Sequence, residues 1–376
     1  MARRIRLRRL GMIAASAVGI SLVGGMGIRT LLFGVRPPDD ALLGATLAQA
    51  SVTEVAVDLR APWEVVFLDG GDLLLTERAG DLVRLAPDGT RRWTVPVPGV
   101  VQRGEGGLLG LALHPRFAET RWIYVYLTAD RENRVERYEL GDDGRLSGRT
   151  VLVDGIPAAS FHDGGRLAFG PDGFLYATTG EAGNRPSARD PSSLGGKILR
   201  LTDQGGVPPG NPFGTLVWSL GHRNPQGLAW APDGTLWATE HGRSGVSSGL
   251  DELNRIEPGG DYGWPEVQGD DRQAGVVSPV LHSGPEHTWA PSGTAWVDGR
   301  VWFGGLRGQA LYEATPRDGG AELRVHFFGE LGRIRDVRAG PDGMLWILTN
   351  NTDGRGRPRD GDDKLLRVDP AALVGR

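Results

Sequence analysis

The chain repeats one strand–turn–strand pattern six times, and this repetition restricts its fold more than any other feature. Each copy is a short apolar strand, a turn usually built on Asp-Gly, and a second apolar strand that ends in small or polar residues. The copies lie roughly 40 to 70 residues apart, which suits a four-stranded unit with its loops. They begin at Glu64, Leu109, Arg166, Gly227, Gly293 and Asp336. Six such units predict an all-β fold, a six-bladed β-propeller.

The remaining sequence agrees with many short strands. Glycine occurs 59 times and proline 25 times in 376 residues, and no stretch after residue 50 has a convincing helical period. Residues 364–368 are predicted to pair with an N-terminal strand within residues 52–59, which would close the ring and remove an exposed sheet edge. The propeller domain is therefore predicted to span residues 53–370.

The first fifty residues read as a targeting segment and a linker. Five arginines among the first ten residues precede nineteen uncharged residues, 10–28. This pattern is typical of a secretory signal or a membrane anchor that sends the body out of the cytoplasm. The nearest A-x-A site lies at residues 48–50, far beyond the apolar run. We therefore expect an uncleaved anchor over residues 1–28 and a linker over 29–52; a cleaved signal and a buried core helix are the alternatives.

Charge and cysteine content exclude several classes of function. Residues 51–376 contain 35 basic and 44 acidic residues, a net charge of −9, which is a poor match to nucleic acid. The chain has no cysteine, so disulfides, cysteine–zinc sites and thiol nucleophiles are excluded. Oligomeric state is left open.

Polar residues next to the repeated strands are the candidate site residues. In a propeller these positions converge on the axis at one rim. They are Glu105, His162, Asp163, Glu181, Arg223, Asn224, Glu240, His241, Arg307, Arg333 and Arg335.

Several of these residues suggest particular chemistry. His162, with Asp163 beside it as a possible orienting carboxylate, suits a general base near neutral pH, although a turn-capping role would explain it too. Arg223 and Asn224 suit a carboxylated or quinonoid ligand, or they anchor a loop.

Two further groups suggest an anion site and a cation site. Arg333 and Arg335 alternate along a strand and, with Arg307, would make a cationic pocket; ordinary salt bridging is the alternative. Glu252 and the Gly-rich loop around Tyr262 offer oxygen ligands of the kind that Ca²⁺ prefers, or they form a solvated loop.

Taken together, these segments resemble the soluble sugar dehydrogenases that depend on pyrroloquinoline quinone (PQQ), the glucose/sorbosone dehydrogenase family, and within it the aldose sugar dehydrogenases. The resemblance covers most of residues 55–370. Its main carriers are GEGGLLGLALHPRF (104–117), FHDGGRLAFGPDG (161–173), GHRNPQGLAWAPDG (221–234), TEHG (239–242), GGDYGWP (259–265) and GRIRDVRAGPDG (332–343).

The resemblance implies a six-bladed propeller that oxidises the C1 hydroxyl of an aldose to a lactone, with hydride transfer to PQQ and electrons passed on to an external acceptor. His162 matches the general base and Arg223 a second catalytic residue. The implied cofactor residues are Glu105, Asn224, His241, Arg307, Arg333 and Arg335. The implied calcium ligands are the carbonyls of Gly242 and Arg243 at the cofactor, and Glu252 with the Tyr262 carbonyl at a structural site.

The chain departs from the family pattern at three of these positions. Glu105 stands where many members have glutamine, Arg307 where a lysine is usual, and Arg243 where a proline is usual. Two other functions therefore stay open: a non-catalytic propeller that binds carbohydrate or protein, and a metal-dependent lactonase or hydrolase built on Glu105, Glu181 and Glu240.

Overall fold

Six antiparallel sheets of four strands form the body of the protein. The computed structural model describes residues 36–245 and 248–374, and within them the sheets follow one another along the chain. Listed from the innermost strand outward, the first three blades are β2 (Pro62–Phe67), β3 (Leu73–Glu77), β4 (Asp81–Leu85) and β5 (Arg91–Pro96); β6 (Leu108–Leu113), β7 (Trp122–Thr128), β8 (Glu132–Leu140) and β9 (Leu146–Pro157); and β10 (Leu167–Phe169), β11 (Leu175–Thr179), β12 (Lys197–Leu201) and β13 (Val217–Ser219).

The last three blades repeat this order. They are β14 (Pro225–Trp230), β15 (Leu236–Glu240), β16 (Glu252–Ile256) and β17 (Leu281–His282); β18 (Pro291–Val297), β19 (Arg300–Gly305), β20 (Leu311–Arg317) and β21 (Gly320–His326); and β22 (Ile334–Ala339), β23 (Leu345–Thr349), β24 (Leu365–Val368) and β1 (Val52–Ala56). Neighbouring blades contact each other through their inner strands, with β11 meeting β14 between blades 3 and 4, and β22 contacts β2. The six-bladed propeller predicted from the repeats is therefore confirmed, and each repeat forms the two inner strands of one blade.

The ring closes through a strand from the beginning of the described chain. β1 pairs antiparallel with β24, with Val52 opposite Val368, as the sequence predicted. The sixth blade thus contains strands from both ends of the domain, and β1 covers the edge that β24 would otherwise expose.

Apolar clusters fill the spaces between neighbouring blades. One cluster joins Leu82 of blade 1 to Ile123 of blade 2, another joins Leu236 of blade 4 to Tyr176 of blade 3, and four further clusters fill the other junctions. Strands that are apolar on both faces suit this arrangement because every blade is covered on two sides. The core of the protein is therefore a ring of inter-blade contacts.

A buried ion cluster links three blades near the axis. The guanidinium of Arg166 lies 3.1 Å from Glu64 and 2.9 Å from Asp336, and all three side chains are fully buried. The contact to Asp336 is an ion pair whose atoms are not aligned as a hydrogen bond. A carboxylate oxygen of Asp336 also accepts the N–H of Val65 at 3.1 Å. These residues belong to blades 1, 3 and 6, so the cluster ties non-adjacent parts of the ring together.

Helical structure in the described residues is confined to short turns. They are a single α-turn at Phe117–Thr120 and 3-10 turns at Asp40–Leu42, Leu47–Gln49, Arg185–Arg189 and Pro370–Ala372.

Part of the predicted linker packs on blade 5. Gly44 donates its N–H to the carbonyl of Val325 at 2.8 Å, and the Ala45 N–H donates to Nδ1 of His326 at 3.0 Å. The predicted signal or anchor over residues 1–28 lies outside the described residues. Among the helices of residues 36–245 and 248–374, none is long and apolar enough to cross a membrane.

Candidate active site

Polar side chains from several blades meet at one rim of the propeller. In an antiparallel hairpin the first strand begins at the same end where the second strand finishes. His162 precedes β10, Arg223 precedes β14 and Arg333 precedes β22, whereas Glu181 follows β11 and His241 follows β15. The fold therefore brings together residues that are far apart in sequence.

His162 is hydrogen-bonded through its Nδ1 atom to a carboxylate oxygen of Glu181, and both side chains are buried. The backbone at His162 has φ of +60°, in the left-handed region that non-glycine residues rarely adopt. Two hydrogen bonds hold this conformation. The N–H of His162 donates to a carboxylate oxygen of Glu105 at 2.9 Å, and the carbonyl of His162 accepts the N–H of Ala182 at 3.2 Å. With Nδ1 engaged, Nε2 is the ring atom left to accept a proton.

The sequence placed Glu181 at the rim but gave it a role only in the alternative hydrolase, as a carboxylate at a central metal, and not as the partner of His162. It lies 19 residues after His162, on the far side of one hairpin, and its other carboxylate oxygen is buried without a hydrogen-bond partner among the described residues. Gly180 precedes it, and a Cβ atom there would overlap the carbonyl of His162. The spacing across the hairpin was the signal that could have identified this pair.

The expectation that Asp163 orients His162 is wrong. Asp163 instead accepts hydrogen bonds from the side-chain amide of Asn133 at 3.0 Å and from the N–H of Ala159 at 3.1 Å. Asn133 and Ala159 hold the carboxylate of Asp163, so it makes no hydrogen bond to the ring of His162. Burial raises the pKa of Asp163 to about 6.

Asn224 supports the segment that carries His162, and Arg223 is held by residues of blade 4. Asn224 Oδ1 accepts the N–H of Gly164 at 3.0 Å, and its amide nitrogen lies 3.4 Å from Nδ1 of His241. Arg223 donates to the hydroxyl of Ser244 at 2.6 Å, and burial lowers the pKa of its guanidinium. The backbone N–H of Arg223 donates to a carboxylate oxygen of Glu240. These contacts fix a guanidinium and an amide beside the histidine.

Arg333, Arg335 and Arg78 form a group that we call the arginine cluster. Arg333 donates to Asp353 at 2.8 Å, Arg78 donates to the carbonyl of the same residue at 3.0 Å, and Arg335 donates to the side chain of Gln226 at 2.7 Å. The Nε atoms of all three arginines are buried without a hydrogen-bond partner among the described residues. Burial lowers the pKa of Arg335 to about 9. Buried donors of this kind favour an anionic ligand.

Glu105 is an ionised carboxylate within this cationic region. One of its oxygens accepts the N–H of His162 at 2.9 Å, and the other pairs with the guanidinium of Arg355. Burial acts to raise its pKa, but Arg355, His241 and the His162 N–H favour the anion and hold the pKa at about 2. The charge of Glu105 is therefore neutralised by a residue from blade 6.

His241 is the neutral member of the site. Burial lowers its pKa to about 3. Its Nδ1 atom lies within reach of the Asn224 amide, while its Nε2 atom is buried without a partner in the described chain. If Nδ1 accepts, the proton is on Nε2, which is then available to donate to a ligand.

Arg307 lies at the edge of the same region. It is exposed, and its backbone N–H donates to the carbonyl of Trp289 at 3.2 Å. Arg333 reaches the carbonyl of the preceding residue, Leu306, at 3.1 Å. The structure thus puts Arg307 next to the arginine cluster and leaves its side chain toward solvent.

The residues predicted to bind metal form two neighbouring groups around blade 4. Gly242 donates its N–H to Asp251 at 2.8 Å, and Arg243 donates its N–H to the carbonyl of Gly249 at 2.8 Å. Glu252 accepts from the N–H of Gly269 at 3.0 Å, and burial together with the charge of Glu240 raises its pKa to about 8.

Tyr262 is connected to Glu252 only indirectly. Its ring is stacked on the ring of His222 at 4.5 Å, and Nδ1 of His222 is hydrogen-bonded to Glu240 at 2.8 Å. Glu240 lies opposite Glu252 in the β15–β16 ladder. Within the described residues, no three histidine, aspartate or glutamate side chains converge as metal ligands. A calcium ion here would draw largely on backbone carbonyls and water.

The fold and the rim define this chain as a six-bladed propeller with a polar site at its axis. More specifically, it belongs to the glucose/sorbosone dehydrogenase family, whose family model matches residues 59–367.

Individual relatives agree with this assignment. A PQQ-bound aldose sugar dehydrogenase from Streptomyces coelicolor is similar in structure, with a TM-score of 0.80 and 43% identity over 86% of this chain and 99% of that one. A putative glucose dehydrogenase from Thermus thermophilus has a TM-score of 0.79 and 45% identity, covering 85% of this chain and 99% of that one. In sequence, the aldose sugar dehydrogenase YliI of Escherichia coli is 33% identical over 87% of this chain and 95% of its own length.

Proposed function

We propose that this protein is a PQQ-dependent dehydrogenase that oxidises the C1 hydroxyl of an aldose to the lactone. The observation that carries the proposal is the buried His162–Glu181 pair, which lies at the same rim as arginines whose buried nitrogens lack partners. Membership of the glucose/sorbosone dehydrogenase family and similarity to a PQQ-bound aldose sugar dehydrogenase support the same chemistry.

The residues present fit PQQ, which is a quinone carrying three carboxylates. Arg78, Arg333 and Arg335 each keep a buried Nε donor free within the described chain, and His241 keeps Nε2 free. Unsatisfied buried donors are costly unless a ligand accepts from them. Asp353 and Glu105 neutralise only part of the positive charge. A planar polyanion would satisfy these donors with charge-assisted hydrogen bonds.

His162 is the proposed general base. The Nε2 atom takes the proton of the C1 hydroxyl while the C1–H bond breaks and the C1=O bond forms. PQQ, when bound, supplies the acceptor for the hydride that leaves C1 with its electron pair. Glu181 holds the imidazole by Nδ1 and stabilises the imidazolium that the proton transfer creates.

Arg223 and Asn224 are proposed to act on the reacting atoms from the other side of His162. Arg223 provides a fixed positive charge in a buried position, where electrostatic stabilisation is strongest. Asn224 keeps the Gly164 segment, and with it His162, at a constant position through its 3.0 Å hydrogen bond. Glu105, Arg307, Arg333, Arg335 and His241 are proposed to hold the cofactor.

We also propose calcium as a second component. Glu252 has a raised pKa because it is buried and lies near Glu240 and Asp251, and a cation would relieve this repulsion. The carbonyls of Gly242, Arg243 and Tyr262 supply the kind of oxygen ligand that Ca²⁺ prefers. Arg243 brings a guanidinium into this loop, so the calcium affinity at Gly242 is expected to depend on where that side chain points.

A central-metal lactonase or hydrolase has less support. Glu105 pairs with Arg355, Glu181 with His162, and Glu240 with His222 and the Arg223 N–H. The three carboxylates are thus committed to separate partners.

The proposed setting of the enzyme is outside the cytoplasm, with an aldose as substrate and an external electron acceptor, and the basic and apolar start of the chain supports this location.

Reconstitution tests the proposal. Residues 37–376 would be purified, loaded with PQQ and Ca²⁺, and assayed for dye reduction with a panel of aldoses, with the lactone identified as product. We expect sugar-dependent reduction that requires PQQ. Failure of the wild-type protein to bind PQQ in an equilibrium titration would overturn the proposed function.

A further inference from the structure

The loop between β23 and β24 is joined to the loop between β5 and β6 by one ion pair. Arg355 of the first loop pairs with Glu105 of the second, across 250 residues of sequence. The first loop belongs to blade 6, and the second connects blade 1 to blade 2. Neither Arg355 nor Glu105 belongs to a strand or to an apolar cluster between blades.

Both sides of this contact are held by their own loops. Asp353 accepts the N–H groups of Arg355 at 2.8 Å and of Gly356 at 3.1 Å. On the other side, the Glu105 N–H donates to the carbonyl of Ser160 at 3.1 Å, two residues before His162. Gly104 has φ of +60°, and a Cβ atom there would overlap the backbone of Ser160. The Glu105 loop is thus fitted closely to the segment that carries the histidine.

Glu105 uses its two oxygens for two different tasks. One accepts the N–H of His162 and so stabilises the left-handed backbone of that residue, while the other binds Arg355. A neutral glutamine could accept the same N–H without a counter-charge. A glutamate needs one, because Glu105 would otherwise be an unpaired anion in the region proposed to bind three cofactor carboxylates.

We propose that Arg355 is a positioning residue that, by pairing with Glu105, holds the backbone of His162 in place and makes a carboxylate tolerable beside an anionic cofactor. This inference rests on the proposed function as far as the cofactor is concerned. The mechanical part, the support of His162 through Glu105, does not depend on it.

The test is a double-mutant cycle of Glu105→Gln and Arg355→Gln, with Arg357→Gln as the control. Arg357 is an exposed arginine of the same loop, so its loss changes the net charge equally without touching Glu105. Two quantities would be measured for each variant: the affinity for PQQ by equilibrium titration, and amide hydrogen exchange of the segments containing Glu105 and His162 in the cofactor-free protein.

Arg355→Gln is expected to weaken PQQ binding roughly tenfold and to speed exchange at the His162 amide. In the Glu105→Gln background the same change is expected to have little effect on either quantity. Equal effects of Arg355→Gln in both backgrounds, or an equal effect of Arg357→Gln, would overturn the inference. So would unchanged exchange at His162 in Arg355→Gln. If the wild-type protein does not bind PQQ at all, the proposed function fails, and the exchange measurement still decides whether Arg355 supports His162.

Discussion

Nδ1 of His162 is hydrogen-bonded to the carboxylate of Glu181, and this leaves Nε2 as the ring nitrogen that can accept a proton. The two residues flank one hairpin of blade 3, at the end of β11 and before β10. A carboxylate on Nδ1 fixes the ring orientation and favours a charged ring once Nε2 takes up a proton.

Glu181→Gln should therefore impair turnover more than binding. Glutamine keeps the shape of the side chain but cannot stabilise the imidazolium, so kcat is expected to fall about 100-fold while PQQ affinity changes little. Steady-state kinetics with a saturating aldose and a PQQ titration measure the two effects. Glu139→Gln, an exposed change on β8, is the control and should match the wild type.

Replacing the base itself should leave a protein that binds the cofactor but hardly turns over. His162→Ala is expected to lower kcat by about 10³-fold or more, because the variant has no Nε2 atom to take the hydroxyl proton. The PQQ titration should remain close to that of the wild type. A variant that retains most of its dye-reducing activity would rule out His162 as the general base.

Arg335→Gln should weaken cofactor binding without destabilising the cofactor-free protein. The guanidinium is buried, its pKa is lowered to about 9 by that burial, and its Nε atom has no partner in the described chain. Removing it deletes a donor for an anion but also a buried charge whose desolvation outweighs the attraction of Asp353. PQQ affinity is expected to fall about 10- to 100-fold, whereas the melting temperature without PQQ should stay level or rise. Arg116→Gln, at an exposed ion pair, should change neither.

Asp163→Asn should stabilise the protein above neutral pH. The pKa of Asp163 is raised from 3.8 to about 6, so the folded state binds this proton more tightly than the unfolded state. Its contribution to stability is fully present below pH 3.8 and is lost as the pH rises through about 6. Asparagine does not ionise, so the variant avoids this loss of unfolding free energy, which is on the order of 1–3 kcal/mol.

Urea unfolding of wild type and Asp163→Asn at several pH values checks this prediction. The difference in unfolding free energy should be small near pH 4 and should grow through the titration range. A difference that does not change with pH would show that burial does not raise the pKa of this carboxylate.

Arg166→Met should be among the more destabilising single changes in the ring. It removes one of the two cations that Glu64 and Asp336 share and leaves Arg338 as the other, and losing one partner of a buried ion cluster costs up to about 3–5 kcal/mol. Urea unfolding gives the free energy, with the exposed change Arg131→Met as the control. A loss below about 1 kcal/mol would mean that the axial ion cluster does not hold the blades together.

The propeller could be predicted because its signals are local. Asp-Gly turns and apolar strands specify each inner hairpin within about twenty residues, and the spacing of the six copies then fixes the number of blades. The pairing of β1 with β24 followed because a closed ring needs a partner for its last strand.

The details of the site depend on contacts that sequence position does not reveal. Asp163 was expected to orient His162 because it is adjacent, but adjacent side chains diverge and Glu181 reaches the ring from the end of the next strand. The partner of Glu105 lies 250 residues away in a loop without a recognisable pattern. Arg333 and Arg335 were predicted as a group because they alternate in sequence and therefore face the same side of a strand.

A single-turnover experiment shows whether the protein passes a hydride from an aldose to PQQ. The PQQ-loaded protein would be mixed without oxygen or any electron acceptor with an aldose, while the absorbance of the cofactor and the formation of lactone are followed. We expect one equivalent of reduced cofactor and one equivalent of lactone per bound PQQ, and neither in His162→Ala. A cofactor spectrum that stays unchanged across the aldose panel, in a protein shown to bind PQQ, would contradict this expectation.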